Sequence, residues 1–164
     1  MGVRDEGVVF RRMAEGDEGE TSALIRRSFE KYIAHTYTAE GLADFLKNTT
    51  PEALAARKAR GQTVILALAG TEIVGMIAVR GGNHISLLFV DESRHRTGIA
   101  GRLVSMAVAE SRSSDPSLSG FTVNSSPFAV EFYERMGFRE TGPEQFMRGM
   151  MVTPMRLDFA LWGG

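Results

Sequence analysis

The chain contains no cysteine. That excludes disulfides, zinc–thiolate sites and any mechanism through an acyl-cysteine intermediate. It is also compatible with the reducing cytoplasm, where we expect the protein to work. Long apolar runs are missing too: none approaches the roughly 20 residues that span a bilayer. The N-terminal "MGVRDEGVVFRR" lacks the apolar core of a signal peptide, and Glu6 stands where a myristoylation motif wants Ser or Thr. No membrane partner is therefore expected. Nor is there a dominant charge. Nineteen basic residues face 20 acidic ones, for a formal net charge of −1, which argues against nucleic-acid binding through a generally basic surface. Any anion site has to be local.

What is present is ordinary for a soluble globular chain: 164 residues, 43% of them hydrophobic. With no repeat, low-complexity tract or linker, one domain over residues 1–164 is the economical reading. "VVFRRM" reads as a strand. "DEGETSALIRRSFEKYIA" reads as a helix with Leu24, Ile25, Phe29, Tyr32 and Ile33 along one stripe. "TAEGLADFLKN" and "TPEALAARKARG" are further helices, the second with Thr50 as N-cap and Pro51 in the first position. The texture then changes. "QTVILALAG" and "EIVGMIAVRGG" make a hairpin around Gly70-Thr71, and the nearly continuous apolar run of "HISLLFV" predicts a strand buried on both faces. "GIAGRLVSMAVAESR" is a helix and "GFTVNSS" a strand. "SPFAVEFYERMGF" is a helix capped by Ser126 and ended by Gly137. "RETGPEQFMRG" and "MMVTPMRLDFAL" give two last strands. The order β-α-α-α-β-β-β-α-β-α-β-β makes this an α+β domain. The segment from "HISLLFV" to "GFTVNSS" has the length of a crossover between parallel strands.

That crossover helix opens with "RHRTGIAGRL". A structural turn needs one glycine; here Gly98, Ala100 and Gly101 follow Arg94, His95 and Arg96, with Arg102 behind them. The first amides of a helix have no intrahelical partner and carry the positive end of its dipole. Tiny residues there let a ligand reach the backbone, and the basic side chains add a local cradle for phosphate or pyrophosphate. The pattern fits neither G-x-x-x-x-G-K-[ST] nor G-x-G-x-x-G.

The segment "LLFVDESRHRTGIAGRLV" resembles the GNAT superfamily of acyl-CoA-dependent N-acyltransferases, whose signature is Gln/Arg-x-x-Gly-x-Gly/Ala after a strand. Here it reads His95-Arg96-Thr97-Gly98-Ile99-Ala100, with His95 as a departure at the opening position. A second segment, "FTVNSSPFAVEFYERMGFRETG", is similar to the next motif of the same family, Asn-x-x-Ala-x-x-x-Tyr. Here Ser126 takes the place of Asn, Asn124 lies two residues earlier, and Ala129 and Tyr133 match. The resemblance implies a mixed, mostly antiparallel twisted sheet with a splayed parallel pair in the middle and helices on both faces. It implies acetyl-CoA as acyl donor and no metal. It further implies main-chain contacts to the pantetheine arm from Leu88, Phe89 and Val90, and a diphosphate on Arg96 to Gly101, with Arg102 beside it.

Acyl transfer to an amine raises two proton problems. An alkylammonium with a pKa near ~10.4 is free base in only about one molecule in 10³ at pH 7, a cost of roughly 4–5 kcal/mol. A base helps, and His84 at the start of the central strand is the candidate, with Asn83 beside it to orient a substrate. The departing thiolate needs a donor. The resemblance gives that role to Tyr133, whose phenol near ~10 is a weaker acid than a thiol near ~8.5, so hydrogen-bond donation is its main contribution. With no cysteine, direct attack of the amine in a ternary complex is the simpler route.

On the acceptor side, Phe29 and Tyr32 are the candidate contacts, within the aromatic stretch that also holds His35 and Tyr37. The Met- and Phe-rich loop around Phe146 and Met147 could serve as an apolar lip, a buried hairpin face or a homodimer contact. The alternative to an N-acetyltransferase is a catalytically idle coenzyme-A-binding or regulatory module on the same fold.

Overall fold

The computed structural model describes residues 7–162. The outermost residues of the expected 1–164 domain, Glu6 among them, lie outside that range. The elements run β1 (Val8–Arg12), α1 (Glu18–Tyr32), α2 (Ala39–Lys47), α3 (Pro51–Ala59), β2 (Thr63–Ala69), β3 (Glu72–Arg80) and β4 (His84–Val90). They continue with α4 (Ile99–Ser114), β5 (Gly120–Ser125), α5 (Val130–Met136), β6 (Arg139–Glu140), β7 (Gln145–Met147) and β8 (Met150–Asp158). The order differs from the sequence reading in its ending, where three strands form instead of two. Arg148 and Gly149, both at positive φ, turn β7 back onto β8.

Local chemistry sets the helix starts. Thr50 Oγ1 accepts from the Ala53 amide at 3.1 Å and Pro51 occupies the first turn of α3, while Thr38 Oγ1 does the same for Gly41 in α2. Ser126 departs from its expected role. Its side chain makes no capping bond, and a 3-10 turn over Pro127–Ala129 precedes an α5 of seven residues. The short α2 is pinned from outside: Thr38 N donates to Gly149 O at 2.9 Å, and Gly41 lies against Gly149 so closely that no side chain fits between.

The sheet order is β1-β2-β3-β4-β5-β8-β6, with β7 on β8. Every pairing is antiparallel except β4 with β5. Each face carries a core. On one side Ile77, Ile85, Phe121, Val123 and Phe138 pack with α4 residues Ile99, Leu103, Val104, Ala107 and Val108; on the other Leu66, Met76, Leu87 and Phe89 pack with Leu24, Ile25 and Phe29 of α1 and Leu54 of α3. Strand β4 contributes to both, as its apolar run predicts, but through a bulge. Val79 pairs with Ile85 and Ala78 with Leu87, so Ser86 is extra and the side chains change face there. Ile85 belongs to the α4 core, Leu87 and Phe89 to the α1 core.

Candidate functional site

The parallel pair is short. Strands β4 and β5 register only at His84–Thr122 and Ile85–Val123. Asn83 locks that end: its carbonyl accepts from Thr122 N at 2.9 Å and its Nδ2 donates to Gly120 O at 3.2 Å. Past Ile85 the two strands diverge into a notch. Asp91 N donates to Val74 O at 2.8 Å on the β3 side, so the alternation of an antiparallel strand aims the main-chain groups of Phe89 toward β3 and those of Leu88 and Val90 into the notch. The Val90 carbonyl meets His95 Nε2 at 2.9 Å.

At the open end sits the start of α4. Gly98 is its N-cap at φ +89°, with open space where a side chain would stand. Arg96 also has a positive φ, 62°, which is uncommon outside glycine. Thr97 braces the loop from within, its Oγ1 donating to Arg94 O at 2.5 Å. Tyr32 stacks on Phe128 at 4.6 Å, and the His95 ring lies beside that pair, centroids 5.4 and 6.3 Å away. Around these groups opens a cleft of about 1030 Å³. It collects Leu88, Phe89 and Val90 from β4, then His95, Arg96, Gly98, Ile99, Ala100 and Gly101, then Tyr32 from α1 and Ser126 after β5.

The electrostatics favour an anion there. Two carboxylates follow β4, and both are engaged: Asp91 with Arg27 at 3.0 Å and Glu92 with Lys31 at 2.5 Å, both partners coming from α1. Hydrogen bonds from Ser93, then the Arg27 guanidinium, hold the Asp91 carboxyl below its usual range; Lys31 does the same for Glu92. Arg94, Arg96 and Arg135, all lining the cleft, have no ion pair among the described residues. A helix N-terminus with uncovered amides and three guanidiniums without an ion pair, set against one lining carboxylate, Glu131, forms an anion-binding surface.

Several expected contacts lie elsewhere. Arg102 points away from the cleft, its guanidinium over the Phe10 ring at 5.2 Å, because it falls on the β1-facing side of α4. Phe29 is fully buried, stacked on Phe45 at 3.8 Å and edge-on to Tyr37 at 4.9 Å; it is core and offers no surface to a substrate. Asn83 is spent on locking the strands, as above. Thr97 acts as a loop brace. Asn124 projects from β5 to the α1 and α3 side of the sheet, where its Nδ2 meets Met147 Sδ at 3.6 Å. Tyr133 faces inward from α5, 4% exposed, with Phe132 and Phe138 edge-on at 5.1 and 5.2 Å. Burial pushes its phenol pKa up, and among the described residues no hydrogen bond reaches its hydroxyl. His84 stands at the closed end of the notch, half-buried, with Nδ1 2.8 Å from Thr122 Oγ1. Burial, then the charge of Arg80, lowers its pKa.

The sequence reading missed Arg135 and Phe128. Arg135 sits one helical turn after Glu131 on an exposed face, where a basic residue is indistinguishable from ordinary solvated surface; only the packing of α5 beside α4 brings it to the cleft. Among the described residues no group of three or more His, Asp or Glu side chains could hold a metal ion, and no helix is long and apolar enough to cross a membrane.

These features coincide with what comparisons find. No curated protein matches the chain in sequence. A GCN5-related N-acetyltransferase from Rhodopseudomonas palustris superposes with a TM-score of 0.78 at 21% identity, over 97% of this chain and 98% of that one. The PaiA N-acetyltransferase from Thermoplasma acidophilum, in complex with coenzyme A, gives 0.76 at 14%, over 93% and 99%. A GNAT family acetyltransferase from Brucella melitensis, in complex with acetyl-CoA, gives 0.64 at 17%, over 96% and 91%. At such identities the likeness is one of fold. In sequence, residues 33–159 match the model of the acetyltransferase (GNAT) domain, a span that takes in the notch, the α4 cradle and all of α5; the chain belongs to the GNAT acetyltransferase family.

Proposed function

We propose that this chain is an acetyl-CoA-dependent N-acetyltransferase that acts on a primary amine by direct attack in a ternary complex. The observation that carries the reading is the notch between β4 and β5, open along Leu88 to Val90 and ending at an α4 N-terminus surrounded by unpaired arginines. The residues present fit a long ligand with an anionic end. The open space at Gly98 admits a phosphate to the first amides of α4, Arg94, Arg96 and Arg135 offset its charge, and the notch gives a narrow arm main-chain partners. The coenzyme A in the Thermoplasma relative and the acetyl-CoA in the Brucella relative support the same assignment.

Bound acetyl-CoA would supply a thioester carbonyl for the amine to attack. The chain's own groups then have three tasks. The cleft walls hold the donor and exclude water, so that an encounter in solution becomes an oriented one. His84, kept neutral by its lowered pKa and with Nε2 not engaged by Thr122, is the proposed proton acceptor for the amine. Tyr133 stays protonated, because burial raises its pKa; its proposed task is to donate a hydrogen bond toward developing charge on the leaving sulfur. The absence of cysteine leaves no acyl-enzyme route through a thiol. We assign the reaction to the cytoplasm, and the exposed Phe146 on β7 is the apolar surface that a homodimer would cover.

The test has two arms. Thermal stabilisation is measured with acetyl-CoA, coenzyme A and an oligonucleotide, and free thiol release is scored across a panel of amines. Stabilisation by the coenzymes alone together with amine-dependent thiol release is the expected result. Stabilisation without release across the panel would leave an idle coenzyme-binding module in its place.

A further inference from the structure

The face of the sheet opposite the α4 core carries a second cluster that the coenzyme cleft does not use. Val123 and Phe121 point to the α4 core, so Thr122 and Asn124 point the other way. Ile85 also points to the α4 core, so His84 and the bulged Ser86 share the face of Thr122 and Asn124. These four side chains are all half-exposed and lie on two neighbouring strands. Ser86 and Asn124 come immediately after the last parallel pair, Ile85–Val123, so they flank the vertex of the notch.

Arg57 reaches this vertex from α3. Its Nη1 donates to Ser86 Oγ at 3.1 Å and lies 3.5 Å from Gln62 Oε1, and its Nη2 donates to Asn48 O at 3.3 Å. All three partners are neutral. A guanidinium has five N–H donors, so part of the fork remains unused. Among the described residues Arg57 has no ion pair, and the charges it feels are those of Arg60 and Arg80, both positive. Arg60 and Arg80 have no ion pair either, and Arg80 also acts on His84. A half-buried cation without a counter-charge is costly, and two like charges add to the cost. A purely structural staple between α3 and β4 would be served by a neutral side chain. An arginine held in place by neutral acceptors, with like charges beside it, is set to receive an anion.

We infer that the acceptor amine enters on this face and carries a carboxylate, which Arg57 binds at the vertex of the notch while His84 faces the amine. The inference rests on the N-acetyltransferase reading and specifies its substrate as an amino carboxylate. A carboxylate is planar and matches the guanidinium fork with two parallel hydrogen bonds. Its amine then stands where the β4–β5 register ends, at Ile85–Val123.

The experiment compares matched probes without any coenzyme: alanine against alaninamide, and phenylalanine against phenylalaninamide. Binding is followed by NMR at the Arg57 Nε–H and at the Ser86 and Asn124 amides. The expected result is at least tenfold tighter binding of the acid in one pair, with shifts at those three positions. The preference should be lost in Arg57→Gln and reduced in Arg57→Lys, which keeps the charge without the fork. Equal binding of acid and amide in the wild-type chain, or shifts that avoid these positions, would overturn the inference even if neither variant folds. Thiol release separates this from the parent reading. Release with amines that lack a carboxylate but not with amino carboxylates refutes only the substrate assignment. Acid-selective binding at Arg57 without release from any amine refutes the enzyme while leaving the anion site in place.

Discussion

Replacing Arg96 with glycine should strengthen the fold and weaken the coenzyme site at the same time. Arg96 lies at φ 62°, a region that costs a residue with a side chain roughly 1–2 kcal/mol. Glycine removes that cost but is more flexible in the unfolded chain, which returns roughly 0.5–1 kcal/mol. The net expectation is a stabilisation of about 0.5–1 kcal/mol, or roughly 1–4 °C in Tm for a domain of this size. Arg96→Ala deletes the same guanidinium and keeps the strained backbone, so the two variants differ in stability by the backbone contribution alone. Both lose one of the three unpaired arginines of the cleft. A hydrogen bond from a charged group contributes about 1.5–3 kcal/mol, and Arg96 is exposed, so the lower end applies and coenzyme A should bind about tenfold more weakly in each. Thermal unfolding and titration calorimetry with coenzyme A read the two effects separately. If Arg96→Gly melts below Arg96→Ala, the backbone argument is wrong; if both variants bind coenzyme A like the wild type, the diphosphate does not lie on this loop.

Three further outcomes follow from the same geometry. Gly41→Ala would place a methyl 2.4 Å from Gly149 O, and because backbone cannot move aside the way a side-chain tip can, a loss of about 1–3 kcal/mol is expected in chemical denaturation; a neutral change would mean that α2 does not dock on the β7–β8 turn as described. The lowered pKa of His84 means that the folded protein takes up its proton less readily than the unfolded chain, so stability falls as pH drops through about 6.5. His84→Gln should flatten that part of a Tm-against-pH curve, while the stability contributed by the depressed Asp91 carboxyl persists above about pH 4 and is lost as pH falls further. Tyr133→Phe removes a hydroxyl without a hydrogen-bond partner among the described residues, so stability and coenzyme affinity should hold while turnover drops; unchanged turnover with chemistry limiting would remove Tyr133 from the mechanism.

Much of this protein was legible in local sequence. The N-cap at Thr50, the glycine at the start of α4 and the continuous apolar runs of β2 and β3 are set by chemistry within a few residues, and so is the exposure of the α4 amides to a ligand. The two motifs, His95 to Ala100 and Ser126 to Tyr133, carried the family for the same reason: each is contiguous. Contacts between distant segments were not legible. Phe29 reads like any aromatic on a helix stripe until Phe45 and Tyr37 close over it. Arg102 and Arg135 are both basic residues on helices, yet packing turns one toward Phe10 and the other into the cleft. The vertex of the notch depends on which residues of β4 and β5 stay in register and on one bulge at Ser86, and that register is set by side chains from both cores. Sequence alone determined most of the elements and the glycine-rich turn at the start of α4, because their forces act over a few bonds; tertiary structure decided the splitting of the last strands, which side chains face the cleft and which face the α1 and α3 side of the sheet, because burial and pairing act between segments far apart in the chain.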